Sequence, residues 1–359
     1  MSDSDLSNTS LHDLFQLMSN VDEDILLSER GYMKEENICD TLQGTLYKAS
    51  TLRNGRRQRV AIKKTLKDFA QQKESKPVDG FHFCVAEDIV QEGEVLQYLS
   101  ANSSTYRPYI VQFVDSFESD DAYYLVMEYV PSALTLRGFV RRSHEYIKAG
   151  LLSFTEYTKI TKFLLWQLFT TVSWLHCQAK CCHLDLNVDN VMVENAGFSA
   201  EKDGQIHIER DINIKIIDFG VSEMFASKDF SCDKHELNVE NEAYLAPEIF
   251  RGETYNAMTA DSWALGIIMF ECLANRPLYD PSDIEAVSGG YLALENETLP
   301  LYLQQCKLGK NFSPNACALL SQLLMMDGKR RLTAAEALKS KWFQSYFQCY
   351  QQRVAQILR

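Results

Sequence analysis

The hydrophobic positions of this chain change their period once, and that change divides it in two. Up to Val130 the apolar residues fall in short runs rich in β-branched and aromatic side chains: Thr45–Ala49, Arg59–Lys63, Ile110–Phe117 and Tyr123–Tyr129. One segment among them, Asp88–Leu99, sets Ile89, Val95, Leu96 and Leu99 at partly helical spacing and predicts a helix. After Pro131 helical spacing takes over, and Tyr157, Ile160, Leu164, Leu168, Val172 and Leu175 share one face. Two polar stretches, Leu66–Glu87 and Glu194–Asp211, the second holding Gly197 and Gly204, are predicted loop insertions. The pattern predicts an α+β chain of two lobes, β-rich over 31–130 and helical over 131–345, with a ligand cleft at the boundary. Residues 1–30 are expected to be an acidic, loosely attached N-terminal extension, a docking helix at Leu11–Met18 being the alternative, and 346–359 a C-terminal tail.

Composition narrows the choice of partner. The 359 residues suffice for one large domain or two lobes sharing a core. A net charge of -13 disfavours a nucleic-acid-binding surface and an anionic membrane as partners. No run approaches the roughly 18 apolar residues of a membrane span; the best, Ala264–Ala274, is short and contains Glu271. The acidic, Ser-rich start Met1–Thr9 does not read as a secretory signal, and Ser2 removes the glycine that myristoylation needs. Ten cysteines without a CxxC pair fit reduced thiols in a cytoplasmic protein, a nuclear one being left open. A metal site at Cys177, Cys181 and Cys182 is the alternative, and it lacks a second ligand pair at zinc spacing.

The chemistry lies in four short motifs. Val60-Ala61-Ile62-Lys63 reads as a strand bearing a Lys, and about thirty residues on comes Glu92 on the predicted helix. A buried Lys needs such a carboxylate to hold it charged and aimed. His183-Leu184-Asp185-Leu186-Asn187-Val188-Asp189-Asn190 sets an Asp and an Asn five apart after an apolar helix. Phosphoryl transfer to a hydroxyl needs a carboxylate to orient it and take its proton, and an oxygen ligand for magnesium. Asp185 and Asn190 suit those roles. Finally Ile214–Ile217 reads as a strand ending in Asp218-Phe219-Gly220, a carboxylate on a turn suited to a hard cation.

In this order, with Ala246-Pro247-Glu248, Asp261-Ser262-Trp263-Ala264-Leu265-Gly266 and Arg331 after them, the motifs make Ile38–Phe343 resemble the eukaryotic protein kinase superfamily, of the Ser/Thr type. The resemblance implies a two-lobed fold, ATP and Mg2+ as cofactors, and transfer of the γ-phosphate to Ser or Thr of protein substrates. It implies Lys63 on the α- and β-phosphates, steadied by Glu92, magnesium on Asn190 and Asp218, and Asp185 as catalytic base. Adenine would meet backbone groups of Glu128 and Val130, with Ile38, Leu46 and Ala61 around it and Met127 as gatekeeper. Arg331 would pair with Glu248.

The chain departs from the family pattern at several points. Of the glycine-rich loop only Gly44 remains, with Cys39 and Thr41 at the first two glycine positions. Leu184 replaces the Arg that grips a phosphorylated activation loop, so activation by that route is not expected. Asn187 replaces the Lys that neutralises the transferring phosphate, and the Thr that partners it aligns with Asn241. Those two Asn read either as a mutually bonded pair or as drift in a decaying site. The alternative to an active enzyme is therefore a weak or inactive pseudokinase acting as a nucleotide-binding scaffold. A small-molecule phosphotransferase is disfavoured by Ala246-Pro247-Glu248 and the Asp261 helix. Asp189 and Glu271 match acidic positions that contact substrate Arg in kinases resembling the cyclic-AMP-dependent enzyme. They suggest basic substrates, the other reading being a solvated Asp189 and a structural Glu271.

Overall fold

The computed structural model describes residues 23–77, 84–102, 109–131, 133–200, 205–208, 211–227, 229–233, 239–278, 311–344 and 346. The patch at Leu11–Met18, Gly204, the side chain of Asn241 and all but Tyr346 of the 346–359 tail lie outside them. The chain divides into two units, one of residues 1–85 and 112–129, the other of 86–111 and 130–359.

The first unit is built on a five-stranded antiparallel sheet, β1 (Tyr32–Asp40), β2 (Gly44–Arg53), β3 (Arg56–Leu66), β4 (Phe113–Glu118) and β5 (Ala122–Glu128), in the order β1-β2-β3-β5-β4. Alternation along the strands separates two faces. Tyr47, Ala49, Val60, Ile62, Tyr124 and Val126 form the core with Tyr32 and with Leu27, which comes from a helix, α1, over 23–29. Register places Leu46 opposite Lys63 and Ala61 opposite Met127, so these four residues share the other face.

Two features of this unit differ from the sequence pattern. Residues 23–30 had been expected to belong to a loose tail. Instead Leu27 is fully buried and Glu23 sits among donors, with Lys64 Nζ at 2.9 Å, Lys34 Nζ at 3.3 Å and the Tyr47 hydroxyl beside it. Burial alone would raise the Glu23 carboxyl, but the bonds from Tyr47 and Lys64 hold it below its usual range. A buried carboxylate on that many donors fastens α1 to the sheet. The first part of the predicted loop Leu66–Glu87 is also helical: α2, Lys67–Gln72, ends on Lys73 in the left-handed region at φ 52°. Six residues are too few to show a helical period.

The second unit is helical: α3 (Ile89–Asn102), α4 (Leu136–Lys148), α5 (Phe154–Trp174), α6 (Pro247–Phe250), α7 (Ala257–Ala274) and α8 (Pro314–Leu323). The sequence pattern had set α3 in the β-rich lobe. Its contacts tie it to the segment after Ile216 instead: Asp88 N–H donates to Gly220 O at 2.8 Å, and Gln91 bonds the Ser222 carbonyl. Asp88 caps the helix, accepting from Val90 and Gln91 N–H at 2.9 and 3.1 Å. The predicted loop Glu194–Asp211 contains a hairpin of Phe198–Ala200 and Ile206–Ile208.

Helix α7 is the core of this unit. Its 18 residues are long and apolar enough to cross a membrane by length and composition, and 89% of them are buried inside the protein. As an apolar run the sequence shows only Ala264–Ala274, too short for a span, because Asp261 breaks it. Asp261 is itself buried, and its bonds explain why an acid is tolerated there.

Candidate active site

The loop His183–Asn190 is fixed from beneath by Asp261. Its Oδ2 accepts from His183 N–H at 2.9 Å and lies 2.8 Å from His176 Nε2, while Oδ1 accepts from Leu184 N–H at 2.8 Å. Leu184 has φ +65°, a conformation that costs a branched L-residue about 1–2 kcal/mol. Two charge-assisted bonds across the bend offset that cost. His183 is fully buried, packs on Phe219 at 4.7 Å between centroids and accepts from Asp185 N–H at Nδ1, 3.3 Å. Its Nε2 faces Ile217 O at 3.1 Å, which fixes a neutral tautomer with the proton on Nε2. Burial lowers its affinity for a second proton, against the pull of Asp261.

Asp185 is held by two amides. Asn190 Nδ2 donates to Asp185 O and Oδ2, both at 2.9 Å, and Asn187 Nδ2 donates to Asp185 O at 3.2 Å. Asn187 is 2% exposed, and its Oδ1 accepts from the N–H groups of Asp189 and Asn190 at 2.8 and 2.9 Å. These bonds lie within the loop. They give Asn187 a structural task that neither the mutual Asn pair nor drift described.

Asp218 follows a strand, Asn213–Ile216, and turns the chain at φ +63°. Left-handed backbone at a non-glycine position is stored where surrounding structure holds it. Here the next N–H, of Phe219, donates to Glu92 Oε1 at 3.2 Å, and both Phe219 and Glu92 are buried. The second unit thus carries Glu92, Asp185, Asn190 and Asp218. Lys63, Leu46, Ala61 and Met127 share one sheet face in the first unit. Ile38 sits at a register shift in β1 and is 45% exposed. The Glu128 N–H already donates to Gln112 O at 2.9 Å, and Val130, half-buried, begins the later segment of the second unit.

The remnant of the glycine loop is the β1–β2 turn, and it is fastened rather than loose. Gln43, 6% exposed, donates from Nε2 to Phe69 O at 3.2 Å and Glu74 O at 3.0 Å. Lys76 Nζ reaches Gly44 O at 2.6 Å, and Lys76 N–H donates to Leu42 O at 2.6 Å. A Cβ at Gly44 would lie 1.7 Å from Lys64 O. This glycine is required by the close approach of β3, whatever its part with phosphate.

Arg331 forms a fork on Glu248, at 2.6 and 2.8 Å, and also donates to Thr259 O at 2.9 Å, so the expected pair is present. The acidic pair expected to meet substrate Arg flanks a guanidinium of this chain. Arg137 on α4 lies between its members, with Nε 2.8 Å from Asp189 Oδ2 and Nη1 3.9 Å from Glu271 Oε2. Tyr244 donates to Glu271 at 2.9 Å. Burial pushes the Glu271 carboxyl up, against the Tyr244 hydroxyl and the Arg137 charge. The expectation for Asp189 and Glu271 did not include Arg137, 52 residues before Asp189.

Among the described residues one trio has metal-ligating atoms within 4.8 Å of one another: His176, Cys182 and Asp261, not Cys177, Cys181 and Cys182. Both Asp261 oxygens already serve the catalytic loop, and burial pushes the Cys182 thiol up, away from the thiolate that a metal requires. Asp261, bonded to His176, is a loop anchor. Sequence reading missed this role of Asp261; an acid within an apolar helix was the available signal. For Gln43, Lys76 and Glu23 no sequence signal existed.

The profile of the protein kinase domain matches residues 32–343. The serine/threonine-protein kinase ppk16 of Schizosaccharomyces pombe is 27% identical over 240 residues, 66% of this chain and 29% of the relative. CBL-interacting protein kinase 25 of Oryza sativa subsp. japonica is 28% identical over 227 residues, 62% and 37% of the two chains. CBL-interacting serine/threonine-protein kinase 13 of Arabidopsis thaliana is 26% identical over 258 residues, 71% and 43%. The chain thus spans less than half the length of these relatives. With its β-rich first part and helical second part, this chain belongs to the protein kinase domain family.

Proposed function

We propose that the chain is a protein kinase that uses Mg-ATP and phosphorylates Ser or Thr of protein substrates. The observation that carries this reading is the Asn190 amide. Its nitrogen is committed to Asp185, which leaves Oδ1 as a hard oxygen beside a fixed carboxylate. With Asp218 it makes an oxygen donor set suited to magnesium. The bound ion would neutralise charge on the phosphates. Lys63 would hold the nucleotide phosphates. Asp185 would orient the acceptor hydroxyl and take its proton. Glu128 would meet adenine through its carbonyl, since its N–H is engaged, and Val130 through its backbone.

Asn187 supplies no positive charge, and the loss of one such stabiliser costs roughly 10²–10³ in rate. Kinases turn over at about 1–100 s⁻¹, so a slow enzyme remains. A second reading, a nucleotide-binding pseudokinase, is favoured by the fastened β1–β2 turn. Both readings need the nucleotide. A thermal-shift titration should show stabilisation by ATP that depends on a divalent ion and shrinks in Lys63→Met and Asp218→Ala. No shift at millimolar nucleotide would refute both.

A further inference from the structure

Beside α4 and the end of α7 lies an open cavity of about 320 Å³. Its apolar walls are Val140, Val188 and Pro277, and its charged groups are Arg137, Arg141, Arg276 and Glu271. These charges are unequally matched. Arg137 is met by Asp189 and Glu271. Among the described residues Arg141 meets Glu145 alone, at 3.4 Å across an exposed i,i+4 spacing, a contact that an incoming anion can displace. Arg276 is exposed and forms no ion pair among the described residues. The cavity therefore offers guanidinium groups beside apolar walls and within reach of a ligand from solvent. The acidic pair that would attract a substrate Arg already holds one.

The geometry points to this cavity as a subsite for an anionic side chain of the substrate peptide, a phosphorylated residue or an Asp or Glu. Guanidinium forks match phosphate and carboxylate oxygens. Val188 lies in the catalytic loop three residues after Asp185, a reach of at most about 11 Å along the backbone. An extended peptide rises about 3.3 Å per residue, so the anion would sit within about three residues of the accepting hydroxyl. The assignment deepens the kinase reading and rests on it for the identity of the peptide.

The test combines binding with phosphorylation. Fluorescent Ser peptides carrying phosphoserine, Asp, Ala or Arg at each of these positions are titrated by anisotropy, and the same peptides are offered with Mg-ATP. Phosphoserine or Asp should bind about tenfold more tightly than Ala, and Arg more weakly than Ala. The preference should vanish in Arg141→Ala/Arg276→Ala, exposed positions whose change leaves the thermal midpoint in place. The phosphoserine and Asp arms separate a primed substrate from a plainly acidic one. Phosphorylation without anion preference, or an Arg preference unchanged in the double variant, overturns the subsite and leaves the kinase reading standing. Anion-selective binding without phosphotransfer overturns the kinase reading and keeps the subsite.

Discussion

The catalytic loop and the β1–β2 turn have both lost family residues, and each is held by a buried amide, but the two amides act over different distances. Asn187 bonds groups within three residues of itself, at 185, 189 and 190. Gln43 bonds Phe69 and Glu74, 26 and 31 residues further on, on a segment that also supplies Lys76. The first loop is fixed by its own sequence. The second is fixed by an insertion folded back upon it. A glycine-rich loop covers phosphate through backbone freedom. Here the turn has exchanged freedom for a latch, whereas the catalytic loop has exchanged a charge for rigidity.

Three substitutions test this contrast, in order of expected size. Gly44→Ala drives a methyl into the Lys64 carbonyl and should cost on the order of 3 kcal/mol, read by urea unfolding. A cost under about 0.5 kcal/mol would show that β2 and β3 do not approach as described. Asn187→Lys removes the acceptor of two N–H groups, and Lys offers none in return. It should lose about 2 kcal/mol of stability in urea unfolding, although it restores the family residue. An unchanged stability would show that the Asn187 bonds do not hold the loop. Gln43→Ala should cost about 1–2 kcal/mol and free the turn, seen as faster amide hydrogen exchange at 41–44 with the catalytic loop unchanged. Unchanged exchange in the turn would break the comparison.

What the sequence revealed follows the same division by distance. Lys63, Glu92, Asp185, Asn190 and Asp218 were legible because each stands in a short motif whose order repeats a family pattern. Strands β2, β3 and β5 were legible from alternation. Strand β1 was not, since Lys34, Glu35 and Glu36 interrupt its apolar positions on an edge strand. The latch of Gln43 and Lys76, the seat of Glu23 and the place of Arg137 depend on partners 11 to 134 residues away. Single positions at such separations leave no periodic trace. Leu184 shows the middle case: its missing positive charge was plain, but its left-handed backbone, held by Asp261, was not.

We propose that Asp185, aimed by Asn187 and Asn190, makes this chain a working phosphotransferase. The direct measurement is transfer of labelled γ-phosphate to Ser and Thr peptides by the wild-type chain and Asp185→Asn, with ATP binding followed in parallel. The wild type should label slowly and only with magnesium, and Asp185→Asn should lose at least about a hundredfold, with ATP-induced stabilisation nearly intact. Equal labelling by the two proteins, or silence from both at saturating Mg-ATP, would contradict it.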